Sequence, residues 1–346
     1  MAGAKYIYGV INANNKKKFV PVKEAKTGEV YSIYYQDIAS VVSDYPESFF
    51  GYGTREEVAK KLVSHQTVIE EVMKEYAIIP FKFGTLLEND DEVKKVLESG
   101  YFEFKDWLRE MDKKIELDVV ALWNDFNSVI KKIGEEKEDI RNFIQEVAKK
   151  PPKETFQDRV KIGCMIKDVC DKKREVLQKE MLEFLREKAK IENFKKHEIM
   201  DDKMILNYAF LLDKDKEKEF DQALGELNKH YSERINFRCV GPLPLYSFST
   251  YEVKKADYEA IEKARKLLGL TEEVSASNVK KAYRRLVQEK HPDKLPDDSD
   301  ASKRFEEIQS AYKLLLDYCG TEKKSLIREN VQSTYTLSVF DVEKEM

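Results

Sequence analysis

The spacing of apolar positions changes several times along the chain, and each change marks an element. Residues 5–12, KYIYGVIN, are dense in β-branched and aromatic side chains and run into polar turn residues, which predicts a strand. Residues 29–46 predict one or two more by the same rule. Over 55–76 the positions Val58, Leu62, His65, Ile69, Val72 and Tyr76 recur every three or four residues, the spacing of one helix face. Thr54 stands where it can cap that helix. A short buried strand, AIIPFKFG, and a helix around 91–99 follow.

Residues 115–123, IELDVVALW, predict another strand. Two long amphipathic helices follow, over about 124–149 and 156–191, interrupted by Pro151 and Pro152. Strands near 194–200 and 204–212 are joined by a DDK turn, a charged helix covers 214–231, and RINFRCVG closes the set as a strand. Strand, helix, two strands, helix, strand is the split βαβ order of a ferredoxin-like domain, here with a helical hairpin in place of its first helix. Residues 241–253, GPLPLYSFSTYEV, predict an extended stretch, because two prolines exclude helix and the aromatics need cover. The pattern is then helical to about Tyr318. The tail beyond Gly320 holds STYTLSVFDV, a candidate edge strand for either sheet. The fold class is α+β. The expected regions are an N-terminal α+β domain at 1–112, the ferredoxin-like domain at 113–254, an all-α domain at 255–320 and a tail at 321–346.

Composition narrows the function classes. The 346 residues are 42% hydrophobic and 36% charged, enough for two or three cores under a charged surface. Sixty-one basic and 65 acidic residues leave a net charge of -4, which points to neither nucleic acid nor an anionic membrane as partner. Cys164, Cys170, Cys239 and Cys319 form no C-x-x-C pair and have no histidine at ligand spacing, so no metal and no cofactor are expected. There is no apolar run of about 18 residues and no signal-peptide pattern at MAGAKYIYGV. A soluble, cytoplasmic protein with reduced thiols is the expectation. Phosphate-binding glycine loops, H-E-x-x-H and nucleophile–histidine spacings are missing, so the chain is not expected to be an enzyme. His65, on an apolar helix face, is expected to be a hydrogen-bonded core residue. His197 and His230, in charged segments, are expected to be solvated.

Chemistry gathers in residues 258–318. A first helix carries Tyr258, Ile261, Ala264, Leu267 and Leu268 inward and stops at Gly269. Ser275 can cap the next, whose inner face is Val279, Ala282, Tyr283, Leu286 and Val287 and whose outer face is Lys280, Lys281, Arg284 and Arg285. Pro292 forbids helical continuation at His291. A third helix turns Phe305, Ile308, Ala311, Tyr312 and Leu315 inward. His-Pro-Asp would thus sit at the tip of two antiparallel helices with a cationic face. ARKLLGL, VKKAYRRLVQEKHPDK and FEEIQSAYKLL, in this order, resemble a J domain, the module that engages DnaK-type chaperone ATPases. The resemblance implies that His291, Pro292 and Asp293 touch the DnaK ATPase domain and promote ATP hydrolysis. It also implies that Lys280, Lys281, Tyr283, Arg284 and Arg285 meet an acidic DnaK surface. The zinc module and Gly/Phe-rich linker of general J-type chaperones are missing, and no short fourth helix is evident after Tyr318.

The preceding 250 residues carry a second resemblance. YIYGVIN at 6–12, HQTVIEEVMKEYAIIPFKFGTLLENDDEVKKVL at 65–97 and GPLPLYSF at 241–248 are similar to the GvpF/GvpL family of gas vesicle proteins. The family-marking positions are His65, Pro80, Phe81, Phe83, Gly84, Gly241, Pro242, Pro244, Tyr246 and Phe248. Lys82 replaces a more usual arginine, and Leu243 and Leu245 replace Trp and Pro. The resemblance implies an accessory protein of gas vesicle assembly, located in the cytoplasm or on the vesicle. Its implied partners are the apolar shell protein GvpA, other accessory Gvp proteins and a DnaK-type chaperone. The alternatives are a minor structural component of the vesicle and a J-domain co-chaperone with unrelated clients.

Overall fold

The computed structural model describes residues 3–19, 28–45, 54–290, 300–320, 323–332 and 334–339. Strands β1 (Ala4–Asn12), β2 (Lys18–Phe19), β3 (Val30–Tyr35), β4 (Ile38–Tyr45) and β5 (Ile78–Pro80) form an antiparallel sheet in the order β2-β3-β4-β1-β5, and β6 (Leu86–Leu87) also pairs with β1. Within the run expected over 29–46, β3 and β4 form a hairpin turning at Gln36 and Asp37, with Gln36 at φ 53°. Such two-residue turns match the right-handed twist of the strands they join. Helix α1 (Arg55–Met73) starts with a reciprocal cap, Thr54 Oγ1 accepting from Glu57 N–H and Glu57 accepting from Thr54 N–H. Its His65, Val68, Ile69 and Val72 are buried. Val58 and Leu62, which the spacing places on the same inner face, are exposed, and burial of α1 begins only at His65.

On the other face of this sheet lie α2 (Asp90–Ser99) and α3 (Tyr101–Met111), with Val93, Val96, Leu97, Phe104 and Leu108 packed on Ile7, Ile33, Ile38 and Val42. The sequence reading contains no counterpart of α3. Its aromatic residues Tyr101, Phe104 and Trp107, three apart, follow directly on Gly100, which ends α2.

The chain divides into two compact units. Among the described residues, those up to Arg109 join those from Ser249 onward, and Glu110–Phe248 forms the other. In this second unit β7 (Lys114–Trp123), β8 (Asn193–Lys196), β9 (Met204–Asp213) and β10 (Ile235–Leu243) pair antiparallel in the order β10-β7-β9-β8, the ferredoxin-like arrangement. Alternation along β7 sends Ile115, Leu117, Val119, Ala121 and Trp123 into one core, where α6 (Phe156–Ala189) and α7 (Glu217–Tyr231) cover them. The helix expected over 124–149 is two helices, α4 (Phe126–Glu136) and α5 (Glu138–Val147), divided where Lys137 becomes extended. The break lets Ile133 of α4 and Ile140 of α5 both reach Cys170 of α6.

Residues 241–253 are not extended throughout. β10 runs to Leu243, then α8 (Tyr246–Ser249) makes one helical turn before β11 (Tyr251–Lys255). Pro244 lies before that turn, where a proline removes no helical hydrogen bond.

Three helices follow in the first unit, α9 (Tyr258–Leu268), α10 (Ala276–Lys290) and α11 (Ala301–Cys319). α9 stops at Gly269, which takes the left-handed conformation of a helix C-terminus. Ser275 caps α10, accepting from Asn278 N–H while Asn278 Oδ1 accepts from Ser275 N–H. Ile261, Leu268, Val279, Leu286, Ile308 and Leu315 build the core, and the tail completes it. After β12 (Glu273–Val274) pairs with β13 (Lys324–Ser325), Leu326 and Val331 enter that core, Val331 from a short helix, α12 (Arg328–Gln332). A short helix after Tyr318 is therefore present, contrary to expectation.

The tail then returns to the N-terminal layer. β14 (Tyr335–Val339) pairs with β11, from Tyr251↔Val339 to Lys255↔Tyr335, and Tyr335 and Leu337 pack in the core of the N-terminal sheet. Tyr251, fully buried, stands against Phe81, Phe104 and Trp107 and donates to Glu103 Oε1 at 2.7 Å. Most of 1–112, together with 255–320 and the tail, thus contributes to one unit. Tyr335→Ala is expected to lower the unfolding free energy of this unit by about 3 kcal/mol, as for other buried aromatics. Urea denaturation measures the loss, and hydrogen exchange should show it first in β11.

Candidate functional site

Two groups of residues carry the chemistry in the described chain. The first is the outer face of α10. The apolar positions Val279, Ala282 and Leu286 pin one side of the helix to the core, and a 3.6-residue period then turns Lys280, Lys281, Arg284 and Arg285 outward. All four are exposed, and no carboxylate among the described residues pairs with them. Tyr283 is half-buried and stacks on Tyr312 of α11, ring centroids 4.1 Å apart and planes 19° from parallel. The stack fixes the rotation of α10 and so the direction of its cationic row. His291, Pro292 and Asp293 follow the last residue of α10 and lie outside the described residues.

The second group contains the motif residues of the larger region, which fall into two polar networks. His65 is 4% exposed and sits against β1. Tyr6 Oη lies within hydrogen-bond distance of His65 Nδ1, at 2.9 Å, and accepts from Gly84 N–H at 3.2 Å. The ring also bonds to the Phe81 backbone. Tyr8 stacks on it and Phe83 meets it edge-on. Burial without a counter-charge lowers the His65 pKa to about 4, so the ring is neutral. Gly84, at φ 87°, makes the tight turn that returns Thr85 Oγ1 and N–H to the Lys82 carbonyl. Lys82 Nζ reaches Glu252 at 2.8 Å, so a cation is used at this position although it is not arginine. Pro80 and Phe81 are buried.

In the other unit, Gly241 passes close over β7. A Cβ there would lie 2.5 Å from Leu117 Cδ2 and 2.9 Å from the Glu116 carbonyl oxygen, which bars any larger residue. Pro242 is exposed, Pro244 is buried, and Tyr246 and Phe248 are half-buried. The turn they form is held by Glu116. Its Oε2 accepts from Ser247 N–H at 2.9 Å and its Oε1 from Ser247 Oγ at 2.7 Å, while His197 Nε2 is 3.2 Å from Ser247 Oγ. Burial raises the Glu116 pKa to about 8, against the two Ser247 hydrogen bonds, with nearby Asp118 adding to the rise and Lys195 opposing it. Asp118 is raised too, again chiefly by burial.

His197 is therefore half-buried beside Ser247, not solvated as its charged surroundings implied, because the turn after β10 folds onto it. Glu116, Asp118 and Ser247 escaped the sequence reading. Their signal was present in IELD, where two acids at alternate positions share the strand face opposite the apolar one. No cluster of three metal-ligating side chains exists among the described residues. No helix there is long and apolar enough to cross a membrane.

The two buried groups give opposite pH dependences. His65 has a depressed folded pKa, so its contribution is present above pH 6.5 and is lost as pH falls towards 4, by up to about 3 kcal/mol. Glu116 has a raised folded pKa, so its stabilising contribution is present below pH 4.5 and is lost as pH rises towards 8. In thermal melts between these limits, Glu116→Gln should remove the alkaline decline and leave the acid one, whereas His65→Gln should flatten the acid limb only.

Comparison with known proteins finds two matches along the chain. The family model described as "Gas vesicle synthesis protein GvpL/GvpF" matches residues 4–250, and the "DnaJ domain" model matches 265–324. Gas vesicle protein F of a Streptomyces species is 24% identical over 253 residues, spanning 70% of this chain and 98% of that one. The crystal structure of GvpF from an Anabaena species superposes with a TM-score of 0.54 at 19% identity, covering 72% of this chain and 98% of that one, which shows a common fold. Chaperone protein DnaJ of Chlamydia pneumoniae is 49% identical over 51 residues, 15% of this chain and 13% of that protein. The chain belongs to the GvpL/GvpF gas vesicle synthesis family and carries a DnaJ domain at its C-terminal end.

Proposed function

We propose that this protein is an assembly factor for gas vesicles that holds shell or accessory Gvp proteins and recruits a DnaK-type chaperone to them. The observation that carries the reading is the exposed cationic row on α10, Lys280, Lys281, Arg284 and Arg285, with which no carboxylate among the described residues pairs, on the helix that leads to His291-Pro292-Asp293. A row of exposed cations steers encounter with an acidic partner surface and fixes its register, and the effect weakens as salt rises. The client side of the reading rests on the family to which the larger part of the chain belongs. A shell protein such as GvpA, which would bury its apolar face only in the finished wall, exposes that face beforehand and needs a holder. Chemistry in this scheme is done by the partner ATPase, and the chain itself has no enzymatic activity. The site of action is the cytoplasm and the growing vesicle.

The test is steady-state ATP hydrolysis by a DnaK-type chaperone from a gas-vesicle-forming host. The full chain should stimulate it. His291→Gln should abolish stimulation, and Lys281→Glu with Arg284→Glu should weaken it about tenfold at low salt and less at high salt. Equal stimulation by the parent and by both variants would refute the assignment of these residues. No stimulation by a folded parent chain would refute the chaperone-recruiting role.

A further inference from the structure

The tip of the helical hairpin in the second unit presents an apolar strip that no described residue covers. The chain turns there through Pro151 and a single 3-10 turn at Pro152–Glu154, and buried Thr155 donates from Oγ1 to the Pro152 carbonyl. α6 then begins with Phe156, 76% exposed, and one turn later presents Val160, 53% exposed. Gly163 and Cys164 continue the same line with exposed, small residues, and a Cβ added to Gly163 would meet nothing within 4 Å. The strip is about 12 Å long at the rise of an α-helix. The seam of the hairpin is made further along α6, where Ile166, Val169 and Cys170 contact α4 and α5.

Its border is cationic in a chain of net negative charge. Residues 149–161 hold five basic side chains, Lys149, Lys150, Lys153, Arg159 and Lys161, against Glu154 and Asp158. Lys150 pairs with Asp158 at 2.7 Å, and Lys161 lies over the Phe143 ring. Lys149, Lys153 and Arg159 are exposed and have no carboxylate partner among the described residues. An exposed phenyl ring with aliphatic and small residues in line suits a second helix laid along α6. The unpaired cations beside it suit acidic residues flanking that helix's apolar face.

We infer that the outer face of α6 from Phe156 to Cys164 is a docking strip for a partner-protein helix with an apolar face and acidic flanks. A second copy of this chain fits poorly, since it would bring two cationic borders together. An anionic lipid surface would satisfy the cations. However, α6 is packed on α4 and α5 and cannot lie in a membrane interface as free amphipathic helices do. The inference is independent of the DnaJ domain and of whether a DnaK-type partner is recruited.

The test uses the full chain and a labelled synthetic helical peptide of about four turns, with leucines on one face and glutamates beside them. Fluorescence anisotropy should show saturable binding that weakens as salt rises. Phe156→Ser should weaken it about tenfold, and Lys153→Glu with Arg159→Glu by a similar factor. Phe102→Ser, at a phenylalanine of α3 that is 79% exposed, should leave it unchanged. Both sites are on the surface, so thermal melts of all variants should overlay the parent. The proposal fails if the peptide does not bind. It fails equally if a lysine-flanked peptide binds as well, or if Phe156→Ser has no effect. Preferential binding to vesicles of anionic phospholipid would assign the strip to lipid instead. A dimer that Phe156→Ser dissolves would assign it to self-association.

Discussion

The DnaJ domain is entered and left through one two-stranded ladder. β11 leads into its first helix, β14 returns from its last, and the two pair with each other over Tyr251–Lys255 and Tyr335–Val339. Both strands are rooted in the N-terminal core, β11 by the ring of Tyr251 and β14 by Tyr335 and Leu337. A domain held at one end by a flexible linker samples many orientations, whereas one held at both ends by paired, buried strands does not. The cationic row of α10 is accordingly fixed with respect to the N-terminal sheet. The tail also supplies Leu326 and Val331 to the helical core, so completing that core and fastening it to the sheet are the work of the same 20 or so residues.

The turns that carry the marking residues of the GvpL/GvpF region are held by buried polar contacts. His65, Tyr6 and Gly84 set the turn after β5, and Glu116 with Ser247 sets the turn after β10. Each network leaves a titratable group buried without an ion-pair partner among the described residues, a cost that is tolerated where hydrogen bonds specify one backbone geometry. Lys5 follows the opposite rule. It is buried but paired, at 2.5 Å to Asp44 and 3.1 Å to Asp90, so it stays charged.

Periodicity revealed most of this architecture because the signals are local. The strand order of the second unit follows from alternation in IELDVVALW and MILNYAFLLD, and the cationic face of α10 from 3.6-residue spacing. What escaped depends on partners distant in sequence. Ser247 and Glu116 are 131 residues apart, so neither suggests the other. β14 could have been assigned to any free edge, and only the burial of Tyr335 and Leu337 selects β11. The division of α4 from α5 at Lys137 is a packing decision, made by Cys170 on a third helix. His197 was misjudged because charged neighbours in sequence do not report what folds over them in space.

In the proposed function one chain joins a holder of gas vesicle protein to a chaperone recruiter. The most direct measurement is the soluble fraction of the shell protein GvpA when it is co-produced with a DnaK-type chaperone and this chain. The account predicts that the parent keeps the shell protein soluble and brings the chaperone into the same complex on affinity purification. It also predicts that the His291→Gln chain still binds the shell protein but no longer brings in the chaperone. A shell protein equally insoluble with and without the parent chain would contradict the account.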